Sequence, residues 1–327
     1  MQTERRHAAA QADAKRPRVV VVTGPTASGK TALALALAEA FDGEIINADS
    51  MQVYRYMDIG TAKPSLEERA RVPHHLFDVV TPDVDYSAGR FAEEARRVAR
   101  EILSRGRTVI VAGGTGLYIR AFASGLVQTG PARRELRERL EASQTRAAEE
   151  GDPTRLHRKL AEIDPEAART IHPNDVRRTV RALEIIEQSG ATPTRLRAEH
   201  AFEDEPFEVL QLALDPGRET LARRIDRRCR EMIDAGLLQE VRRLRERGYG
   251  PELKPMQSIG YRHIQPVVDG LDTLANALVA MQGDTRRFAR RQRTWLRSVE
   301  GVVWIDPERD RDVFTRVERF LSAPAAD

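Results

Sequence analysis

The chain has 327 residues, of which 31% are charged and only 5% aromatic, and its formal net charge is +3. That length supports one large domain or two smaller ones, and no apolar run approaches the roughly 18–20 residues of a membrane-spanning helix. The lone cysteine, Cys229, excludes an intramolecular disulfide and a cysteine-based zinc finger, and suits a reducing cytoplasm.

Residues 1–17 scatter Arg5, Arg6, Asp13, Lys15 and Arg16 among alanines, lack an apolar signal core and read as a disordered tail. Residues 19–22, four valines, form a strand that runs into Gly24-Pro25-Thr26-Ala27-Ser28-Gly29-Lys30-Thr31. This is a complete G-x-x-x-x-G-K-[ST] phosphate loop, and residues 32–41 leave it as a helix. Backbone N–H groups of such a loop and helix N-terminus face an anion, Lys30 adds charge, and the Thr31 hydroxyl can ligate Mg²⁺.

Further strands are predicted at 44–48, 76–80, 108–112, 209–214 and 302–305, with helical patterns between most of them. Short apolar strands alternating with amphipathic helices imply a parallel sheet covered on both faces. Residues 131–200 break that rhythm with helix starts in succession. Asp152-Pro153, Asp164-Pro165 and Thr192-Pro193 each set a capping residue before a proline, Asn174 is read as a further cap, and Gly190 as a stop. The predicted organisation is therefore a phosphate-loop α/β core over 18–128 and 201–327, with a C-terminal helical extension and an all-helical domain inserted at 129–200.

Two features separate this chain from an ordinary phosphate-loop ATPase. The strand at 108–112 ends in Gly113-Gly114-Thr115-Gly116 where a metal-holding aspartate is expected. An aspartate appears instead where the strand at 44–48 runs out into Asp49-Ser50. Ligands of open α/β sheets gather at the carboxyl ends of the strands, so Asp49 belongs beside the phosphate loop, unless it or Ser50 simply caps a following helix. Arginines cluster at 223–230, 242–247 and 286–297. In the last cluster Arg286, Arg290, Arg293 and Arg297 fall at helical spacing with Trp295 among them, which reads as a polyanion-binding stripe or as a solvated helix face.

The ordered set of motifs closely resembles the tRNA dimethylallyltransferase (tRNA isopentenyltransferase) family, over nearly the whole chain beyond the tail. It consists of the phosphate loop, Asp49-Ser50-Met51-Gln52-Val53-Tyr54, Met57-Asp58-Ile59-Gly60-Thr61-Ala62-Lys63-Pro64, Gly113-Gly114-Thr115-Gly116-Leu117-Tyr118, Ile171-His172-Pro173-Asn174-Asp175, Arg181-Ala182-Leu183-Glu184, Ile259-Gly260-Tyr261-Arg262 and Arg291-Gln292, with Thr294-Trp295 beyond. The absence of the cysteines of the zinc finger that eukaryotic members carry makes it similar to the bacterial type.

The resemblance implies transfer of a dimethylallyl group from dimethylallyl diphosphate to N6 of the adenosine just 3′ of the tRNA anticodon, with release of diphosphate. It implies that Asp49 takes the N6 proton, and that Gly24 to Thr31 cradle the diphosphate with Mg²⁺ on Thr31. Arg228 then serves as a second cation on the leaving group, though a surface role among its neighbouring arginines stays open. For the tRNA anticodon stem-loop it implies contacts from Asp49, Ser50, Met51, Gln52, Thr115, Arg137, Arg177, Arg178, Arg181, Gln257, Gly260, Tyr261, Arg262, Arg291 and Gln292. A departure occurs at Arg177-Arg178, where bacterial members usually carry glutamine then arginine. A cytoplasmic monomer is implied. Three rivals remain: a small-molecule phosphate-loop kinase, a prenyltransferase for free adenine nucleotides, and a nucleic-acid-binding module with a relic loop.

Overall fold

The computed structural model describes residues 16–126, 133–200 and 205–323. All of the tail except Arg16 and Pro17 lies outside these residues. Among the described residues there are two compact units, one formed by residues 16–123 and 206–323 and the other by those between 124 and 205.

The first unit is built on six parallel strands: β1 (Arg18–Thr23), β2 (Gly43–Asn47), β3 (His74–His75), β4 (Thr108–Gly113), β5 (Glu208–Leu214) and β6 (Val303–Ile305), in the order β3-β2-β4-β1-β5-β6. β1 is central, with Val20 opposite Ile110 on one side and Leu210 on the other. Alternate residues of the strands feed opposite layers, as the two-residue side-chain period requires. Val19, Val21, Ile46, Val109 and Val111 pack on one face, which α3 (Ala88–Ser104), α4 (Gly116–Ser124), α10 (Arg218–Asp234), α11 (Leu237–Glu246), α12 (Tyr261–Val268) and α13 (Leu274–Arg297) cover. Val20, Val22, Ile45, Ile110 and Leu212 pack on the other, beneath α1 (Lys30–Ala40) and α14 (Val313–Ser322). The short α2 (Leu66–Arg71) opens with a full capping box, Ser65 and Glu68.

The strand expected at 76–80 is not formed. Leu76 and Asp78 adopt φ of 61° and 55°, a left-handed backbone that breaks an extended run, so β3 stops at His75 and Val80 makes only an isolated bridge to Tyr54.

The second unit contains α5 (Arg134–Glu149), α6 (Arg155–Ile163), α7 (Pro165–Thr170), α8 (Val176–Ser189) and α9 (Pro193–His200) around a small core that includes Leu140, Leu160, Val180 and Leu183. Asp164 caps α7 through the Ala167 N–H, and Gly190 closes α8 at φ 69°. Two expected caps are corrected. Asp175, not Asn174, caps α8 by accepting from the Arg178 N–H, and Asp152 caps nothing because its carboxylate pairs with Arg155 and Arg158.

Candidate active site

The phosphate loop leaves the central strand and turns directly into α1. Gly29 has φ 98°, a conformation that favours glycine, and α1 has no side-chain cap, so its first N–H groups stay available to an anion. The Ser28 hydroxyl is fully buried and has no hydrogen-bond partner among the described residues. An orphaned buried hydroxyl inside a phosphate loop fits an oxyanion that completes it.

Two cations serve this loop. Burial pushes the Lys30 ammonium down to about 8, nearby Arg228 pushes the same way, and only Asp49 opposes them. Burial likewise lowers Arg228, again against the pull of Asp49. Arg228 lies 3.5 Å from the Thr26 hydroxyl, so it faces the loop and is no surface arginine. Two desolvated cations around one carboxylate leave an excess of positive charge, which an anionic ligand relieves.

Asp49 is held in place by its own turn. Its N–H donates to Asn47 Oδ1 (2.9 Å) and its Oδ1 accepts from the Met51 N–H (2.9 Å). A turn, and not a helix, directly follows it. Its Oδ2 makes no hydrogen bond among the described residues, which leaves one oxygen for a substrate. Ser50 is tied to Thr115, whose hydroxyl accepts from the Ser50 N–H (2.9 Å). That contact needs the β2 and β4 ends to approach closely, and Gly113 allows it: a Cβ there would lie 2.2 Å from the Ala48 backbone.

Asp49, Thr26 and Arg228 line a cavity of about 350 Å³, to which Ile225, Cys229, Met232, Met281 and Phe288 give an apolar wall. A smaller cavity of about 80 Å³ shares Thr26, Asp49 and Arg228 and is lined also by Lys30 and Thr31. Sequence reasoning missed the apolar wall, because Ile225, Cys229 and Met232 repeat at helical spacing and read as ordinary core. Their signal was Arg228 on the same stretch of α10.

Several residues expected to touch tRNA do something else. The Gln292 side chain is buried; its Oε1 accepts from the Thr26 N–H and its Nε2 donates to the Gly114 carbonyl, both at 2.9 Å. It clips the phosphate loop to the loop after β4 and lines the smaller cavity. Tyr261 is fully buried and its hydroxyl donates to Glu240 Oε1. Gln52 donates to the Thr61 and Ala62 carbonyls and so holds the 57–64 loop. Met51, Gly260, Arg262 and Arg291 do line the larger cavity, while Gln257 is exposed beyond it.

The basic stripe on α13 is also corrected. Arg286 pairs with Asp226 and Arg293 with Asp215, acids that the linear sequence keeps far away. Trp295 packs its ring against Gly116 and carries Arg120 over it. Arg290, Arg291 and Arg297 are exposed and form no ion pair among the described residues. In the second unit, Arg137 and Arg181 both hold the buried Glu184 carboxylate, at 2.8 and 3.0 Å. Burial pushes Glu184 up, but those two partners outweigh it and its net shift is downward. Arg177 and Arg178 are exposed.

With this geometry in hand, comparison with known proteins gives a consistent result. The sequence model described as IPP transferase matches residues 52–299. The tRNA dimethylallyltransferase of Desulfosudis oleivorans is 48% identical over 94% of this chain and 96% of its own length. That of Anaeromyxobacter dehalogenans is 50% identical over 91% of this chain and 98% of its own. The crystal structure of the full-length tRNA isopentenylpyrophosphate transferase of Bacillus halodurans superposes with a TM-score of 0.68 at 37% identity, covering 94% of this chain and 97% of that one. A eukaryotic dimethylallyltransferase crystallised acting on tRNA superposes with a TM-score of 0.74 at 30% identity, covering 92% of this chain and 77% of that one. The chain belongs to the IPP transferase family.

Proposed function

We propose that this protein transfers a dimethylallyl group from dimethylallyl diphosphate to N6 of the adenosine beside the tRNA anticodon. The observation that carries the reading is a pair of cavities that share Thr26, Asp49 and Arg228, one lined by Lys30 and Thr31 of the phosphate loop and the other by the apolar wall. The names of the relatives point the same way.

Loop N–H groups, Ser28, Lys30 and Arg228 bind the diphosphate and neutralise charge as it leaves. Thr31, which lines the smaller cavity, would hold a hydrated Mg²⁺ beside those oxygens, and the ion would withdraw further charge from the leaving group. The C–O bond of the allylic carbon breaks and a bond to N6 forms. N6 is conjugated with the purine and weakly nucleophilic, so Asp49 takes its proton as the bond develops. An adenosine stacked in the anticodon loop reaches this pocket only when flipped out.

The test is a competition assay in which labelled dimethylallyl diphosphate and Mg²⁺ are offered tRNA, AMP and ATP together. Label is expected in tRNA. Phosphate transfer from ATP without prenylation would overturn the assignment. The exposed arginines give a second expectation. Replacing Arg290, Arg291 and Arg297 by serine weakens tRNA binding and lowers the slope of log Kd against log salt by about two. An unchanged slope would remove that face of α13 from the RNA surface.

A further inference from the structure

Glu240 lies in none of the motifs identified in the sequence, yet it is 4% exposed and carries a full set of hydrogen bonds. No cation comes within ion-pair distance of it among the described residues. Its Oε2 accepts from the N–H groups of Asp58 (3.0 Å) and Ile59 (2.8 Å), and its Oε1 accepts from the Gly60 N–H (3.1 Å) and the Tyr261 hydroxyl (2.6 Å). A buried carboxylate satisfied only by neutral donors is unfavourable unless every donor stays in place. It therefore fixes four groups relative to one another.

Those groups belong to two segments far apart in sequence. Gly60 and Thr61 line the larger cavity on one side of the join, and Ser258, Ile259 and Gly260, just before Tyr261, line it on the other. The join is tight. A Cβ on Gly60 would lie 2.5 Å from the Tyr261 ring, and one on Gly260 would lie 3.8 Å from the Gly60 carbonyl oxygen.

The geometry points to Glu240 as a positioning residue that closes the reaction cavity against water by holding these two wall segments together. This rests on the prenyl-transfer reading. An allylic diphosphate gives up its C–O bond readily, and the allylic carbon bonds to whichever nucleophile is at hand. With the wall closed that nucleophile is N6. With the wall parted, a water oxygen bonds to the carbon, its proton passes to solvent, and a prenyl alcohol and diphosphate are released. Glu240 thus governs where the prenyl group goes more than how fast the leaving group departs.

The experiment measures diphosphate release and tRNA prenylation in one reaction, for the unaltered protein, Glu240→Gln and Tyr261→Phe, with the fold of each checked by circular dichroism and thermal melting. Glu240→Gln keeps one acceptor oxygen and turns an amide on the remaining donors. It is expected to raise diphosphate released per prenyl group transferred by about threefold or more, while total diphosphate release changes less than about twofold. Tyr261→Phe keeps the ring and the three backbone contacts, and should move the ratio the same way by less. A folded Glu240→Gln with the unaltered ratio overturns the proposal. If that variant does not fold, a Tyr261→Phe with the unaltered ratio overturns it instead. Absence of any transfer by the unaltered protein overturns the prenyl-transfer reading, and this proposal with it.

Discussion

Replacing Asp49 by asparagine lowers kcat by about 10³-fold while tRNA affinity stays within about threefold, because a positioned general base contributes about 10²–10⁴ in rate and little in binding. Asparagine is the informative change. Its Oδ1 still accepts from the Met51 N–H, so the turn that holds residues 49–51 survives. A second consequence has the opposite sign. Asp49 is the one charge that favours the Lys30 ammonium and the first of those that favour the Arg228 guanidinium, so losing it leaves more uncompensated positive charge at the loop. At about pH 6, where Lys30 is protonated, inorganic diphosphate should bind Asp49→Asn more tightly than the unaltered protein. Slower turnover with tighter diphosphate binding is a pattern that a damaged fold does not produce. Equal losses in kcat and tRNA affinity would remove Asp49 from the base role.

Lys30→Met is the second large effect, expected to cost about 10³-fold in kcat/KM for dimethylallyl diphosphate, since it deletes a desolvated cation at the leaving group. The pH dependence follows from the same residue. Burial brings Lys30 down to about 8 in the free protein, so kcat/KM measured against dimethylallyl diphosphate falls as pH rises through that value. Bound diphosphate favours the ammonium, so the falling limb moves upward in kcat. Lys30→Arg keeps a charge that does not titrate, and the limb at 8 should vanish. Stability has the reverse sign. Lys30 is lowered from 10.5, so between about 8 and 10.5 the unfolded chain holds more protons than the folded one, and this group makes the ligand-free fold more stable as pH rises across that window. A limb at 8 that persists in Lys30→Arg would assign it to another group.

The chemistry of this protein was more legible in its sequence than the walls that contain it. The phosphate loop carries its own context, since a valine strand and an alanine-leucine helix flank it. The position of Asp49 followed from one rule about strand ends. The resemblance placed Gln292 and Tyr261 among the tRNA contacts, and here both side chains are taken up by internal hydrogen bonds. Their motifs name residues that matter without saying which way a side chain points, and both point inward. The arginine stripe narrows to Arg290 and Arg297, because Asp215 and Asp226 reach Arg293 and Arg286 only through the packing of α10 and β5 against α13. Glu240 gave no local signal at all. On a helix with charged neighbours it looks like one more exposed acid, and only the fold brings four donors to it.

The Gln292 clip bears on protein engineering. Helix α13 is 24 residues long and displays arginines on its surface, which makes it an obvious part to exchange when altering RNA preference. One amide on its inner side, however, holds the Thr26 N–H and the Gly114 carbonyl at once. A transplanted helix with a better basic face but no glutamine in that register would leave both groups without their partner. Chimeras at this helix must carry position 292 over as a fixed point, and vary only the residues that face solvent.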